Sequence, residues 1–170
     1  MTIPRMSGCT LRVGLGEDLH RLVAGRPLVL GGVRFEAPVG PMGHSDGDVV
    51  LHALADALLG ATAGGDIGER FPDDDPTYCG ADSGQLLGQV MATIRGEGWT
   101  VVNADIVIAA ERPRLGPGKH AIRDRVAALL DVPPGRVNVK AKTGEGLGIV
   151  GRGEAIACRA VVLIQGSEEQ

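Results

Sequence analysis

Asp18 and His20 stand two apart in Arg12-Val-Gly-Leu-Gly-Glu-Asp-Leu-His20, and a further histidine closes the stretch His44-Ser-Asp-Gly-Asp-Val-Val-Leu-His52. Residues two apart on a strand point to the same face, so Asp18 and His20 can reach one ion together, and His52 from a helix elsewhere completes a set of three. One carboxylate and two imidazoles suit Zn²⁺ and leave its fourth tetrahedral position open, the arrangement of a catalytic rather than a bracing metal. A D-x-H pair by itself is commoner as a surface or capping pair. The surrounding motifs are what turn it into a candidate metal site.

The elements that must position these groups are legible from periodicity and turn residues. Leu11 to Gly16 reads as a strand, Arg21 to Pro27 as a loop, and Leu28 to Phe35 as a hairpin turning at Gly31-Gly32. Ser45 is expected to open a helix with Asp46 and Asp48 in its first turn and Gly60 as its stop. On that helix Asp48, His52 and Asp56 fall four apart and form one polar stripe, while Val50, Leu51, Leu54 and Leu58 supply apolar packing. For Asp56, support of His52 and simple solvation of a helix face weigh equally. The run from Gly64 to Pro76 is too rich in Gly, Pro and Asp to be regular and is read as a mobile substrate loop.

Helical periods recur over Ser83 to Arg95 and Lys119 to Leu130, separated by a strand from Thr100 to about Ala110 and a loop from Pro113 to Gly118. Strands Arg136 to Lys142 and Ala155 to Gln165 follow. This order predicts an α+β fold with one mixed sheet covered on one side by helices. Both faces of the last strand are nearly apolar, which points to burial on both sides and hence to oligomerisation.

Whole-chain properties narrow the function classes. The 170 residues make one domain, read as 1–170, with an N-terminal extension over 1–10 and a tail over 166–170 expected to be flexible. A net charge of −4 and only 2% aromatics offer no footprint for nucleic acid or an anionic membrane, so a phosphorylated ligand would need metal ions. Cys9, Cys79 and Cys158 are odd in number and form no CxxC pair, which argues against disulfides and fits a reducing, cytoplasmic setting. No stretch reaches the roughly 18 apolar residues of a membrane span. His120 has no partner nearby in sequence and is read as a surface residue.

Beyond the metal-ligand candidates, the chain carries Asp56-Ala-Leu-Leu-Gly60, Gly65-Asp-Ile-Gly68, Phe71-Pro-Asp73, Asp75-Pro76, Asn138-Val-Lys-Ala141 and Gly151-Arg-Gly-Glu154. Together and in this order these motifs resemble the 2-C-methyl-D-erythritol 2,4-cyclodiphosphate synthases of the non-mevalonate isoprenoid pathway, over nearly the whole chain. The resemblance implies a homotrimer whose sheets face the threefold axis, with an active site at each subunit boundary. It implies a lyase that closes a cyclic diphosphate and expels CMP from a cytidine diphosphate substrate. Zn²⁺ would sit on Asp18, His20 and His52, and a second divalent ion, Mg²⁺ or Mn²⁺, on Glu145.

By the same match His44 and Thr143 are the catalytic candidates, orienting phosphates and stabilising the transition state, with Ser45 assisting His44. Asp66, Ile67, Gly68, Phe71, Pro72, Asp73, Asp74 and Asp75 would line the erythritol and phosphate side; for Asp74 alone a plain solvated turn is preferred. The segment from Ala110 to Gly116, with Pro113 and Arg114, would hold the cytidine. Lys142, Gly144, Ile149 and Arg152 complete the implied binding set. Two departures stand out. Lys142-Thr-Gly-Glu145 stands where many relatives carry a run of threonines, and Ile149 replaces the usual aromatic near the trimer axis, where some relatives have an apolar cavity, with an arginine matching Arg152, that accepts isoprenoid diphosphates. The enzymes that precede it in the pathway are implied as transient partners. On the residues alone, a zinc phosphohydrolase and a binding protein with structural zinc remain as alternatives.

Overall fold

The computed structural model describes residues 9–167. Its longest element is β1 (Cys9–Ala24), which pairs antiparallel with β7 (Ala155–Ser167) from Cys9↔Ser167 to Arg21↔Ala155. Cys9, Thr10, Gly166 and Ser167 are therefore strand residues and correct the flexible ends expected over 1–10 and 166–170; the rest of those two segments lies outside the described residues. On the far side of β7 runs β5 (Thr100–Ala109), antiparallel to it, and β6 (Val137–Lys142) lies parallel to β5. A short strand, β4 (Val39–Pro41), pairs with the end of β1 and gives the order β4-β1-β7-β5-β6. The expected single mixed sheet is thus present.

The parallel pair needs a crossover, and the helix α4 (Lys119–Leu130) supplies it over the bounds its period predicts. Two more long helices, α1 (Val49–Thr62) and α3 (Ser83–Gly96), complete the layer on the same side of the sheet. Between the layers lie Leu54, Leu58, Leu87, Ile94, Ile106, Ile108, Ile122, Ile156, Val162 and Ile164, all fully buried. Each such side chain contributes about 2 kcal/mol of burial. Among the described residues no long helix covers the opposite face of the sheet. There Leu11, Val13, Leu15, Leu19 and Val161 are 42 to 66% exposed.

Three local readings are corrected. The segment after Arg21 continues as strand because Leu22, Val23 and Ala24 pair with Pro41, Gly40 and Val39. The helix begins at Val49, not Ser45, since Gly47 is left-handed at φ 73° and Asp48 is the N-cap, its Oδ1 accepting from Val50 N at 3.0 Å and Leu51 N at 3.2 Å. It also runs past Gly60 to Thr62 and closes on a left-handed Ala63.

Asp48 does not belong to the expected polar stripe. Fully buried, it also accepts from Gly31 N at 2.8 Å and Gly32 N at 2.7 Å, the turn of the hairpin formed by β2 (Leu28–Leu30) and β3 (Val33–Phe35). Both turn glycines have positive φ, 60° and 74°, as a two-residue hairpin of this hand demands. Burial pushes the Asp48 carboxyl up to about 6, against the pull of its backbone N–H donors.

β1 and α1 lie backbone against backbone at two glycines. A Cβ on Gly14 would lie 1.8 Å from Ala57 O, and one on Gly16 would lie 1.9 Å from Ala53 O. Only glycine lets the helix backbone settle onto the strand. Gly14→Ala should lower stability by at least about 2 kcal/mol, whereas Gly88→Ala, on the open side of α3 with nothing within 4 Å, should be neutral or stabilising. Chemical denaturation of the two variants compares them directly, and equal stabilities would remove the backbone contact as a constraint.

Candidate functional site

Beyond the two glycines, β1 turns its next inward positions, Asp18 and His20, toward the first turn of α1, which presents His52. One ligand atom from each of the three lies within 4.8 Å of the others. Asp18 Oδ2 is 3.0 Å from His52 Nδ1 and 3.6 Å from His20 Nε2, and the two imidazoles meet edge to face at 5.3 Å. Around a tetrahedral zinc with bonds of about 2 Å, ligand atoms stand about 3.3 Å apart, so these separations fit with little adjustment.

The histidine nitrogens strengthen that fit. His20 Nδ1 donates to Leu19 O at 3.1 Å, which leaves the lone pair of the neutral ring on Nε2. That Nε2 is buried without a hydrogen-bond partner, as is His44 Nε2 nearby. Orphaned buried nitrogens are costly in a protein interior unless a ligand meets them.

Charge is matched across the cluster. Burial pushes the Asp18 carboxyl up, but the His52 hydrogen bond, the two histidine charges and the Leu19 N–H outweigh it and hold the pKa below the ordinary value. Burial likewise opposes a charged His52, but the Asp18 hydrogen bond and the Asp18, Asp48 and Asp46 charges raise it above its ordinary 6.5.

The cluster forms the floor of a cleft of about 340 Å³. Its rim is the segment Met42 to Ser45, and its far wall is Ile67, Gly68, Phe71, Asp73, Tyr78 and Leu86. Arg26 shapes the rim, giving Nε to Pro41 O at 3.0 Å and Nη2 to Gly43 O at 3.3 Å and Ser45 O at 2.8 Å. Most of the far wall comes from the supposed loop, which contains α2 (Ile67–Arg70) and runs into a 3-10 turn over Pro76–Tyr78, while Leu86 comes from α3. Asp56 accepts from Ile67 N at 2.8 Å, so its work is to anchor that wall, not to bond His52.

Of the residues expected on this side, Asp66, Pro72, Asp74 and Asp75 do not line the cleft. Asp66 caps α2 and Asp75 caps the 3-10 turn, while Pro72 and Asp74 are exposed. Met42, Tyr78 and Leu86 were not singled out by sequence. Tyr78, the single tyrosine and packed edge to face on Phe71 at 5.2 Å, carried the one usable signal.

The remaining candidates gather elsewhere. Ala110 N donates to Lys142 O at 2.9 Å, and Gly144 N donates to Glu111 Oε2 at 3.1 Å, which joins the segment after β5 to the segment after β6. Thr143 Oγ1 donates to Glu145 Oε1 at 2.6 Å, and Glu145 has φ 51°, a left-handed backbone costing a non-glycine residue about 1 kcal/mol. Ala110, Pro113, Arg114, Lys142, Thr143, Gly144 and Glu145 line no part of the metal cleft of their own chain. Ile149, on α5 (Gly148–Gly151), borders a second cleft of about 300 Å³ with Leu19, Arg21, Leu22, Glu154 and Ala155. Arg152 is paired with Glu154 there, Nε to Oε1 at 2.7 Å. Cys9 and Cys79 are exposed free thiols and Cys158 is buried; His120 is exposed. No helix among the described residues is long and apolar enough to cross a membrane.

A mixed sheet backed by helices, with an Asp-His-His cluster on the floor of an open cleft, defines a small-molecule site built around ligand-ready imidazoles. The chain belongs to the YgbB family, whose model matches residues 11–165. It is 54% identical, over 91% of its length and 98% of the relative's, to the 2-C-methyl-D-erythritol 2,4-cyclodiphosphate synthase of Symbiobacterium thermophilum. Among solved structures, it matches a synthase of that name in its CDP-bound form with a TM-score of 0.83 and 43% identity, covering 90% of this chain and 99% of that one. A bifunctional protein from Campylobacter jejuni matches with a TM-score of 0.89 and 40% identity, covering 93% of this chain and 43% of that one.

A metal ion must compete with protons for the imidazoles. Because the His52 pKa is raised above 6.5, zinc affinity should already fall as pH drops from 8 to 7 and fall further by 6. Chelator-competition titrations at the three values measure it, and a flat profile would remove His52 from the ligand set.

Proposed function

We propose that this chain converts 4-diphosphocytidyl-2-C-methyl-D-erythritol 2-phosphate to 2-C-methyl-D-erythritol 2,4-cyclodiphosphate with release of CMP. The observation that carries this reading is the pairing of near-full-length identity to synthases of that name with a cleft whose floor is Asp18, His20 and His52. The substrate's 2-phosphate attacks its own β-phosphorus. A P–O bond forms there while the bond from β-phosphorus to the bridging oxygen breaks, and CMP leaves with the electron pair. The attacking phosphate is already ionised near neutrality, so no strong base is required. The barrier is repulsion between anions and the alignment of the two ends.

The chain's own groups act on those two terms. Ile67, Phe71 and Leu86 offer apolar surface to the methyl-erythritol carbons and shed its water, and Asp73 on the same wall would accept from its hydroxyls. His44 and Ser45 stand beside the floor, where an imidazole N–H and a hydroxyl can donate to phosphoryl oxygens as their charge grows. Asp18, His20 and His52 would hold Zn²⁺ and Glu145 would hold Mg²⁺ or Mn²⁺, and when bound these ions supply Lewis-acid polarisation and charge neutralisation of the diphosphate. Thr143 and Lys142 would position the phosphates, and the backbone from Ala110 to Arg114 would hold the cytosine edge.

Those last groups line no part of their own chain's cleft, which supports an active site shared between copies. The uncovered apolar face of the sheet supports a homotrimer with its sheets turned to the axis. In such a trimer the second cleft, near Ile149 and Arg152, would open beside the axis and is the candidate place for an isoprenoid diphosphate. That the Campylobacter relative is bifunctional supports transient contact with the preceding pathway enzymes.

The test is phosphorus NMR of the purified protein, loaded with Zn²⁺ and Mg²⁺, acting on the substrate. Cyclic diphosphate and CMP should appear with wild type, vanish with His52→Ala, and form about 100-fold more slowly with His44→Ala. CMP with no cyclic product would instead identify a hydrolase.

A further inference from the structure

The His52 ring is held from behind by two hydroxyls, of which Ser83 takes no part in the proposed reaction. Its Nε2 lies 2.9 Å from Ser83 Oγ and 3.2 Å from Ser45 Oγ. Ser83 is 1% exposed, at the first turn of α3, and Asp46 grips it twice: Oδ2 accepts from Ser83 N at 3.1 Å, and Oδ1 accepts from the Ser83 hydroxyl. Asp46 is held in turn, since its Oδ1 accepts from Asp48 N at 3.1 Å and its own N–H donates to Ala81 O at 3.1 Å.

The shorter of the two ring contacts, that to Ser83, sets the proton on the ring. An ionised carboxylate only accepts, so the single Ser83 hydroxyl proton points to Asp46. Ser83 Oγ can then only accept from His52, which puts the ring proton on Nε2. With Nε2 protonated, the proton that Nδ1 gives to Asp18 Oδ2 at 3.0 Å is the one a metal displaces, and the lone pair this frees is on Nδ1. Ser45 Oγ, which accepts from Gly47 N at 3.1 Å, is the longer of the two contacts and can accept the same ring proton.

We infer that Ser83, locked by Asp46, is a positioning residue that selects the His52 tautomer and aims Nδ1 at the metal. This inference rests on the reading of Asp18, His20 and His52 as metal ligands. It also ties the ligand to α3, whose Leu86, one turn on from Ser83, forms the cleft wall. Substrate pressed against that wall and the ligand's orientation are thereby mechanically joined. Groups behind a ligating histidine typically carry 10- to 100-fold in metal affinity.

The test compares wild type, Ser83→Ala, Ser83→Thr and His52→Ala by two measurements on the metal-free and zinc-titrated protein. Zinc affinity comes from competition with a chromophoric chelator. The His52 tautomer comes from long-range proton–nitrogen correlation of the metal-free protein at pH 8, with the His52 signals assigned by their loss in His52→Ala. Thermal melts establish that each variant is folded. Expected are a 10- to 100-fold loss of affinity in Ser83→Ala, a shift of His52 away from the Nε2–H form, and recovery of both in Ser83→Thr, which keeps the hydroxyl. Unchanged affinity in folded Ser83→Ala overturns the inference, and so does a loss of affinity with the tautomer unaltered. If wild type binds zinc no better than His52→Ala, the metal reading itself fails, and the inference fails with it.

Discussion

The fold depends on one contact between backbones. Where β1 crosses α1, two glycines leave room for the helix carbonyls of Ala57 and Ala53, so strand and helix run side by side without side chains between them. Strand and helix are then locked in register: position 14 meets the turn at 57, position 16 the turn at 53, and position 18 the residue at 52. Any side chain at 14 or 16 would lift the helix and carry His52 away from Asp18. The spacing of Asp18, His20 and His52 is therefore set outside the site, by residues that carry no chemistry.

Around that contact the acidic groups divide their labour by burial. Asp18 faces the cleft and two imidazoles, and its carboxylate is held ionised. Asp48 lies behind the helix start among four donating backbone N–H groups and serves structure alone, joining the hairpin to the helix. Asp46 stands between them and holds Ser83. Three carboxylates within the reach of one histidine thus have separate partners, which limits their mutual repulsion.

Much of this was legible beforehand because it is written in short-range pattern. The D-x-H spacing, the apolar period of α4 and the Gly31-Gly32 turn are each complete within a few residues, and the structure has all three. The failures are of another kind. Asp46, Asp48 and Ser45 look alike as helix-opening residues. Which one caps is decided by the Gly31-Gly32 turn, 16 and 17 residues away, and by Ser83, 37 away from Asp46. β4 is three residues containing Gly and Pro, so it has no period to read and exists because β1 offers it an edge. The far wall of the cleft looked shapeless for a similar reason. Its capping aspartates, Asp66 and Asp75, open turns of four and three residues, too short to show a period.

Arg26 has a different kind of consequence. Its guanidinium holds the rim of the cleft by three carbonyl oxygens, and every residue, whatever its side chain, possesses a carbonyl oxygen. The rim is accordingly specified by one distant side chain and not by its own composition. Substitutions at Met42, which lines the mouth of the cleft and is 60% exposed, can alter what that mouth admits while leaving its outline intact. A rim clamped through its main chain keeps its outline when the Met42 side chain changes, because that side chain has no part in the clamp.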